Sequence, residues 1–438
     1  MLLEFKTKNY KSFQDEMIFS MIPAPQQKGL DYSIFREKIG NKTYKGLCSA
    51  VIYGPNAAGK TNMIGAMDTF KSIVLRGNIR NNDSSYTPNA ARSRLELIPN
   101  NRVESVEPVQ FSIKFSTDHL LVEYSFSAEL GSFLNEGFPR RIKKEKLNVN
   151  GKNIFERGEK LFIGELNNIN QFLTPELREN QVSAHILAEV GLKDDELFLT
   201  NGFRNIFSAK LVDKIVDWLN NDFKVVYMAN DIESVPTTKE EVFVEGTLVK
   251  AVQAFGVKSN LIAYVRRNDD SEATLCSVFL DEKKEKSVAI PAKAFESFGT
   301  IRFINLFPLV VNAFLSGGTL VIDEFDASIH PMALMNLINI FHNDELNIHH
   351  AQLIFNTHNP IFLNSNLFRR DEIKFVEQDD DTHCSYHYSL SDFGTSGPGG
   401  VRKNDDYMKN YFVDRYGAIR DIDLTPVFQE LLQKEDEE

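Results

Sequence analysis

The sequence contains little cysteine, no surplus of basic residues and no apolar stretch long enough to cross a membrane without interruption. Its three cysteines lie far apart among 438 residues and form no CxxC pair, which argues against a disulfide scaffold or a structural zinc site and fits a reducing cytoplasm. Asp and Glu total 61 against 49 Lys and Arg, a net charge of −12. A uniformly basic surface for nucleic acid is therefore excluded, although a local basic patch is not.

The longest apolar stretch, residues 303–322, is interrupted by asparagines, a proline and a Gly-Gly pair. We expect a buried helix followed by a buried strand there, and no membrane association. The first 13 residues, MLLEFKTKNYKSF, lack the apolar run and the small-residue cleavage site of a signal peptide. A hydrophobic fraction of 42% is ordinary for a globular protein, so the composition predicts a globular, cytoplasmic chain.

The segment Gly54–Thr61, GPNAAGKT, fits the pattern G-x-x-x-x-G-K-[ST]. It follows an apolar, partly β-branched run at Leu47–Tyr53 and precedes apolar residues at helical spacing in Asn62–Leu75. In this context the glycines let backbone amides face phosphate, the lysine reaches the β and γ phosphates, and the threonine hydroxyl binds Mg²⁺. The pattern predicts a nucleotide phosphate site formed by Asn56, Ala57, Ala58, Gly59, Lys60 and Thr61.

A second motif places two carboxylates at the end of a short apolar strand, Thr319–Ile322. Asp323 would hold Mg²⁺ beside Thr61. Glu324 would point the other way and orient or deprotonate the attacking water. Alone, the same pattern describes an ordinary strand end with a solvated acidic pair, but a phosphate loop in the same chain favours the catalytic interpretation.

Another apolar strand begins at Gln352 and ends in polar Thr357 and His358. A helical pattern at 332–342 separates this strand from Asp323, so the two strands can be sheet neighbours joined by a right-handed crossover. His358 would then lie close enough to hydrogen-bond the γ-phosphate or the water. A lone histidine is nevertheless more often a structural residue.

Upstream of the acidic strand, Ser297, Gly299 and Thr300 precede the apolar helix expected at 303–315. Amides at a helix N-terminus form a second site suited to an anion. A Ser-x-Gly sequence before a helix is also a common N-cap. The motif therefore indicates a phosphate site only because Ser297 lies 26 residues before Asp323.

Together these motifs resemble the ABC-type ATPases, and more closely their RecF/SMC-like branch. The matching segments are also similar to the short ATPases of bacterial phage-defence modules: the RloA-like proteins, the OLD-nuclease ATPase heads and the AriA ATPase of PARIS systems. The resemblance covers roughly residues 1–130 and 290–420, and the middle of the chain is supported only by its position. The segments that carry it are FKTKNYKSF, the phosphate loop, ESFGTIR, VIDEFDASIHP and QLIFNTHNPIFL, together with LFRRDEIKFVEQ and DRYGAI nearer the C-terminus.

The resemblance implies an α/β fold: an ABC-type P-loop ATPase head with a mixed sheet and an inserted helical and mixed lobe. Two such heads sandwich two ATP molecules with Mg²⁺. It further implies roles for five residues. Ser297, Gly299 and Thr300 would meet the γ-phosphate bound by Lys60 of the other subunit, Asp326 would lie at the dimer interface, and His358 would be the switch histidine.

Two features depart from the family pattern. No segment clearly matches the family's Gln-loop, whose glutamine contacts the metal. Gln110, on the first strand of a hairpin expected at 109–130, is the candidate for this glutamine. Phe298 stands where small residues are common. The expected division of the chain is an N-terminal part of the head at 1–135, an inserted lobe at 136–290, a C-terminal part of the head at 291–425 and an acidic tail at 426–438.

Two charged segments leave alternatives open. The basic run within 140–146 could contact nucleic-acid phosphates, or it could be a solvated charged hairpin. The acids Glu377 and Asp379–Asp381 fit an acidic surface loop better than the metal site of a TOPRIM nuclease, for which too little chain remains after His358. A nuclease acting with this protein would therefore be a separate polypeptide.

The resemblance predicts a cytoplasmic ATPase that forms a homodimer or a larger homo-oligomer. It would serve as sensor or scaffold of an anti-phage module, respond to a phage protein and control a separately encoded effector such as a TOPRIM nuclease. The alternative is a RecF-like, DNA-binding ATPase of DNA repair. A third interpretation is a regulatory scaffold in which ATP only locks an assembly.

Overall fold

The structure is a computed structural model. It describes the chain from residue 1 to residue 436 with gaps at 26, 28, 81–95, 103–106, 132–137, 174–176, 178–180, 228–240, 244–245, 255–260, 266–273, 282–285, 398 and 421. The polar, turn-rich segment 77–103 predicts a surface loop, and most of it lies outside the described residues, as does the expected boundary at 135.

The strands of the described residues are β1 (Leu2–Lys8), β2 (Met17–Ser20), β3 (Ile34–Ile39), β4 (Lys42–Leu47), β5 (Ser49–Tyr53), β6 (Val109–Thr117), β7 (Leu120–Glu129), β8 (Arg141–Val149), β9 (Lys152–Arg157), β10 (Leu161–Ile163), β11 (Phe223–Val226), β12 (Glu241–Phe243), β13 (Leu261–Val265), β14 (Thr274–Asp281), β15 (Lys286–Pro291), β16 (Thr319–Ile322), β17 (Gln352–Asn356), β18 (Ile373–Gln378) and β19 (Ser385–Ser389).

The α-helices of the same residues are α1 (Lys60–Arg76), α2 (Gln181–Val190), α3 (Arg204–Ile206), α4 (Ala209–Asp217), α5 (Gly246–Ala254), α6 (Ala292–Phe295), α7 (Phe298–Ser316), α8 (Pro331–His342), α9 (Tyr407–Phe412) and α10 (Thr425–Asp436). Short 3₁₀ or π turns lie at Asp31–Ser33, Leu166–Phe172, Leu199–Phe203, Trp218–Asp222, Pro360–Phe362 and Leu390–Phe393.

A six-stranded central sheet has the order β11-β16-β17-β5-β18-β19, in which only the edge strand β19 is antiparallel. Every residue of β5, β16 and β17 is buried, as expected of short apolar strands in a parallel sheet covered on both faces. The alternation of β5 divides the interior: Ala50 and Ile52 face one core, whereas Val51 and Tyr53 face the other. α1 packs in the first core, and α7 and α8 pack in the second.

A seven-stranded antiparallel sheet, in the order β10-β9-β8-β7-β6-β1-β2, covers the first core. The hairpin expected at 109–130 is confirmed as β6 and β7, which pair from Val109 with Ala128 to Thr117 with Leu120. The sheet then continues through β8, β9 and β10, so it extends past the expected boundary at residue 135. The reason is that β8 pairs with β7 along most of its length.

The remainder of the expected lobe is also divided. β11 pairs in parallel with β16 and belongs to the central sheet, whereas β12 to β15 form a separate four-stranded antiparallel sheet. The expected boundary at 290 falls inside β15, and most of the expected acidic tail belongs to α10. Long-range strand pairing, which composition does not reveal, decides these limits.

Among the described helices, only α7 is long and apolar enough to cross a membrane by length and composition. Core helices of globular proteins pass the same test. Here Ile304, Leu306, Val310 and Ala313 of α7 lie in the second core, so the helix and strand expected at 303–322 are confirmed as α7 and β16.

Candidate functional site

The phosphate loop connects β5 to α1 at the carboxyl end of the central sheet. Gly54 and Gly59 have φ values of +158° and +109°. A Cβ atom on Gly54 would lie 2.2 Å from the carbonyl oxygen of Val376, and one on Gly59 would lie 2.4 Å from Ser385 Oγ. Both positions therefore require glycine. Val376 of β18 and Ser385 of β19 pack directly against the loop.

Lys60 folds back over this loop. Its Nζ donates hydrogen bonds to the carbonyl oxygens of Gly54 (2.7 Å) and Pro55 (2.9 Å). Burial lowers the pKa of Lys60 to about 8, although the charges of Asp323 and Glu324 act in the opposite direction. The lysine is thus an enclosed cation at the start of α1, next to the amides that would receive phosphate.

The two expected metal ligands meet. Thr61 Oγ1 donates to Asp323 Oδ1 over 3.2 Å, across 262 residues of sequence. Burial raises the pKa of Asp323, while hydrogen bonds from Asn356 and Thr61 and the charge of Lys60 lower it. A hydroxyl and a buried carboxylate side by side are the oxygen ligands that suit Mg²⁺, so the side chains present fit this ion.

Asn356 and Arg302 hold the acidic pair in place, and the sequence motifs did not single out either. The Asn356 amide donates to Asp323 Oδ1, and its oxygen accepts from the backbone N–H of Glu324. Arg302 donates to the carbonyl oxygens of Asp323 (3.3 Å) and Glu324 (2.6 Å). Glu324 adopts φ +50°, a left-handed conformation that is uncommon outside glycine, so these contacts stabilise a strained backbone.

A cavity of about 200 Å³ lies over the phosphate loop. Glu324 and His358 reach it from two neighbouring strands, because β16 and β17 pair in parallel with α8 between them, as predicted. Burial, and secondly the charge of Lys60, lowers the pKa of His358, so its imidazole is neutral at pH 7. The lining residues are Asn56, Ala57, Ala58, Gly59, Lys60, Thr61, Asn62, Glu324, Asn356 and His358.

Ser297, Gly299 and Thr300 lie at the start of α7 and do not line this cavity. Ser297 Oγ caps the helix by accepting from the Thr300 N–H over 3.1 Å. A Cβ on Gly299 would lie 2.0 Å from the carbonyl oxygen of Ser328, so the helix start packs closely on the loop after Glu324. In this loop, Asp326 accepts a hydrogen bond of 2.7 Å from Thr357 Oγ1.

Gln110 lies away from the phosphate loop. It is exposed on β6 and lines a different hollow, on the seven-stranded sheet, together with Lys6 and Lys8. The geometry thus gives no support to Gln110 as a metal contact, because β6 pairs with β1 rather than with a strand of the central sheet.

The charged segments have local structural partners. Arg141 and Lys143 both pair with the buried carboxylate of Glu129, and Lys146 pairs with Glu156 at 2.7 Å. Part of the basic run therefore belongs to the ion pairs of an antiparallel sheet.

The acidic loop is similarly occupied. Asp379 Oδ1 accepts from the Thr382 N–H at 2.7 Å, and Glu377 accepts from the Tyr386 hydroxyl and the Ala418 N–H. Asp379 orders a turn, which supports the interpretation of a surface loop, whereas Glu377 lies within strand β18 and pairs across to Tyr386 of β19.

The central sheet is largely parallel, a glycine-bearing loop precedes a helix, and an acidic strand end adjoins that loop. These features define a P-loop nucleoside triphosphatase of the AAA/ABC-like type. A protein-family model described as "AAA domain, putative AbiEii toxin, Type IV TA system" matches residues 49–364, more than half of the chain. The chain belongs to this family. A search of curated proteins finds no match.

Proposed function

We propose that this protein binds ATP with Mg²⁺ and hydrolyses it. The observation that carries the proposal is the contact between Thr61 and Asp323, with Glu324 and His358 beside the same cavity. Lys60 and the loop amides bind the phosphates, and Thr61 and Asp323 hold the ion, which offsets negative charge on the phosphates. Glu324 orients the attacking water, and His358 accepts or donates a hydrogen bond at the phosphate.

We further propose that two copies complete each site. Ser297 is exposed and Thr300 is half-buried at the start of α7, outside the cavity of their own chain. Their hydroxyls and the helix N-terminus are suited to a phosphate bound by another copy. The exposed ring of Phe298, 61% accessible, lies beside them and would pack at such an interface.

In the cell, we propose a cytoplasmic ATPase of an anti-phage module that senses infection and controls a separately encoded effector such as a TOPRIM nuclease. Support comes from the family, whose description names a toxin of type IV toxin–antitoxin systems. A phage protein is the proposed trigger. The RloA-like, OLD-like or PARIS-like subfamily rests on the motif resemblance alone.

The test of hydrolysis is Glu324→Gln. We expect ATP binding to persist and phosphate release to fall about 10²–10⁴-fold, because the water loses its orienting carboxylate. Glu345→Gln, on an exposed turn after α8, is the matched control and should keep wild-type turnover. Near-normal turnover of Glu324→Gln would refute the assigned role.

The biological proposal is tested by phage plaquing on cells that carry this gene and its immediate neighbours. We expect fewer plaques with the wild type and normal plaquing with Glu324→Gln. Equal plaquing across a broad phage panel, with active ATPase in vitro, would reject defence while leaving hydrolysis intact.

The RecF-like alternative has one observation in its favour. The open face of the seven-stranded sheet has a hollow of about 330 Å³ lined by four lysines and three serines together with three glutamates. The lysines and serines are groups that bind nucleic-acid phosphates. Turnover stimulated by DNA and lost with increasing salt would favour this alternative. Very slow turnover with ATP-dependent assembly would instead favour the regulatory scaffold.

A further inference from the structure

A buried cluster of three potential metal ligands lies at the edge of the central sheet opposite the phosphate loop. Cys48 directly precedes β5, His342 ends α8, and Glu372 directly precedes β18. Cys48 and Glu372 have no accessible surface and His342 is 5% accessible. Three segments separated by about 30 to 300 residues thus bring a sulfur, a nitrogen and an oxygen ligand together.

The distances suit a single ion. Glu372 Oε1 lies 3.4 Å from His342 Nε2 and 3.7 Å from Cys48 Sγ, and all three ligand atoms fall within 4.8 Å of one another. Ligands at about 2.0 to 2.3 Å from a tetrahedral zinc are roughly 3.3 to 3.8 Å apart. The two measured separations therefore match two edges of such a coordination polyhedron, and the third ligand pair lies within 4.8 Å.

Two hydroxyl groups adjoin the cluster. Ser49 Oγ lies 2.8 Å from His342 Nε2 and donates to Glu372 Oε1 over 2.9 Å. Ser33, whose carbonyl oxygen accepts from the Cys48 N–H over 2.9 Å, is fully buried, and its side chain lies beside the Cys48 thiol. The hydroxyls of Ser33 and Ser49 therefore place two further oxygen atoms beside the three potential ligands.

We propose that Cys48, His342 and Glu372 bind one divalent cation of the zinc type, with a neighbouring hydroxyl or a water molecule as the fourth ligand. A thiolate, a carboxylate and a neutral imidazole together neutralise a dication, so the buried site carries no net charge. The ion joins the start of β5 to the start of β18 and the end of α8. Because β5 leads directly into the phosphate loop, the ion stabilises the strand that positions the nucleotide site.

The experiment measures metal on the full-length protein. Protein purified without chelator is equilibrated with Zn²⁺, dialysed, and analysed for zinc per chain; a parallel sample receives Co²⁺ for absorbance of the thiolate–cobalt bond. We expect one equivalent of zinc and a thiolate–cobalt band. Both should be lost, with binding at least about tenfold weaker, in Cys48→Ser and in Glu372→Gln.

Cys276→Ser, which changes a buried cysteine on β14 outside the cluster, is the matched control and should bind like the wild type. Wild-type protein that takes up neither zinc nor cobalt, or an equal loss of cobalt absorbance in Cys276→Ser, overturns the proposal. The wild-type measurement does not depend on the folding of any variant, and it is independent of ATP hydrolysis.

Discussion

At the scale of single residues, Lys60 shows how the fold adjusts an active group. The lysine must be charged to bind phosphate, yet burial lowers its pKa to about 8. The pKa of Asp323 shifts in the opposite direction, because burial raises the pKa of its carboxyl group. In the proposed complex, a phosphate would favour the charged form of Lys60 and a dication the charged form of Asp323. Nucleotide binding would thereby be coupled to the stability of the site.

The lowered pKa of Lys60 predicts a pH-dependent nucleotide affinity. The ammonium is the binding form, so affinity stays nearly constant below about pH 8 and weakens up to tenfold per pH unit above it, because binding must then take up a proton. The measurement is titration of ADP and Mg²⁺ by calorimetry from about pH 7 to about pH 9.5.

Lys60→Arg is the control for this prediction, since arginine stays charged throughout this range. Its affinity should be lower than that of the wild type but independent of pH. A wild-type affinity that does not change between pH 7 and 9.5 would show that Lys60 keeps its ordinary pKa.

At the scale of elements, the start of α7 and the loop after β16 pack so closely that one position excludes any side chain. Gly299→Ala would place a Cβ 2.0 Å from the carbonyl oxygen of Ser328. We expect a loss of about 1–3 kcal/mol in the free energy of unfolding. We also expect lower turnover, because Ser297 moves with the helix. Denaturant unfolding and phosphate-release assays measure the two effects.

Gly158→Ala provides the matched comparison, because a Cβ there meets no atom within 4 Å. It should leave both stability and turnover unchanged. ADP affinity of Gly299→Ala should stay near that of the wild type, as the phosphate loop is untouched. If Gly299→Ala kept wild-type stability and turnover, the loop after β16 would be able to move away from the added Cβ with no loss in the free energy of unfolding.

Elements also differ in how far they could be predicted. The strand, loop and helix from Ser49 to Arg76 follow from local patterns, as do β16 and β17. The extension of the antiparallel sheet through β8 to β10 could not be predicted, because pairing with β7 depends on register and on contacts with the rest of the sheet.

At the scale of the whole molecule, the proposed shared site predicts complementation between two inactive variants. Lys60→Ala and Ser297→Arg chains are mixed in equal amounts. A mixed dimer combines an intact phosphate loop from one chain with an intact Ser297 from the other. Random pairing should therefore restore roughly a quarter of wild-type turnover, measured by phosphate release.

Mixing Lys60→Ala with Glu324→Gln is the control, since Lys60 and Glu324 serve the same cavity of one chain. No mixed dimer then has an intact site, and no activity should return. Activity of the Lys60→Ala and Ser297→Arg mixture that never exceeds the mean of the separate variants would contradict a shared site.

The sequence by itself determined the class of fold and predicted the proposed nucleotide site, because phosphate binding uses consecutive backbone amides of one short loop and metal binding uses a strand end. Only the tertiary structure decided which distant groups support them. Asn356 and Arg302 act through contacts with Asp323 and Glu324 that no local pattern encodes.

The same reason explains the buried cluster. Cysteine spacing argued against a zinc site, and that argument holds for ligands close in sequence. Cys48, His342 and Glu372 come together because parallel strands begin at one edge of the sheet, so the fold, through its crossover connections, makes neighbours of residues that are remote along the chain.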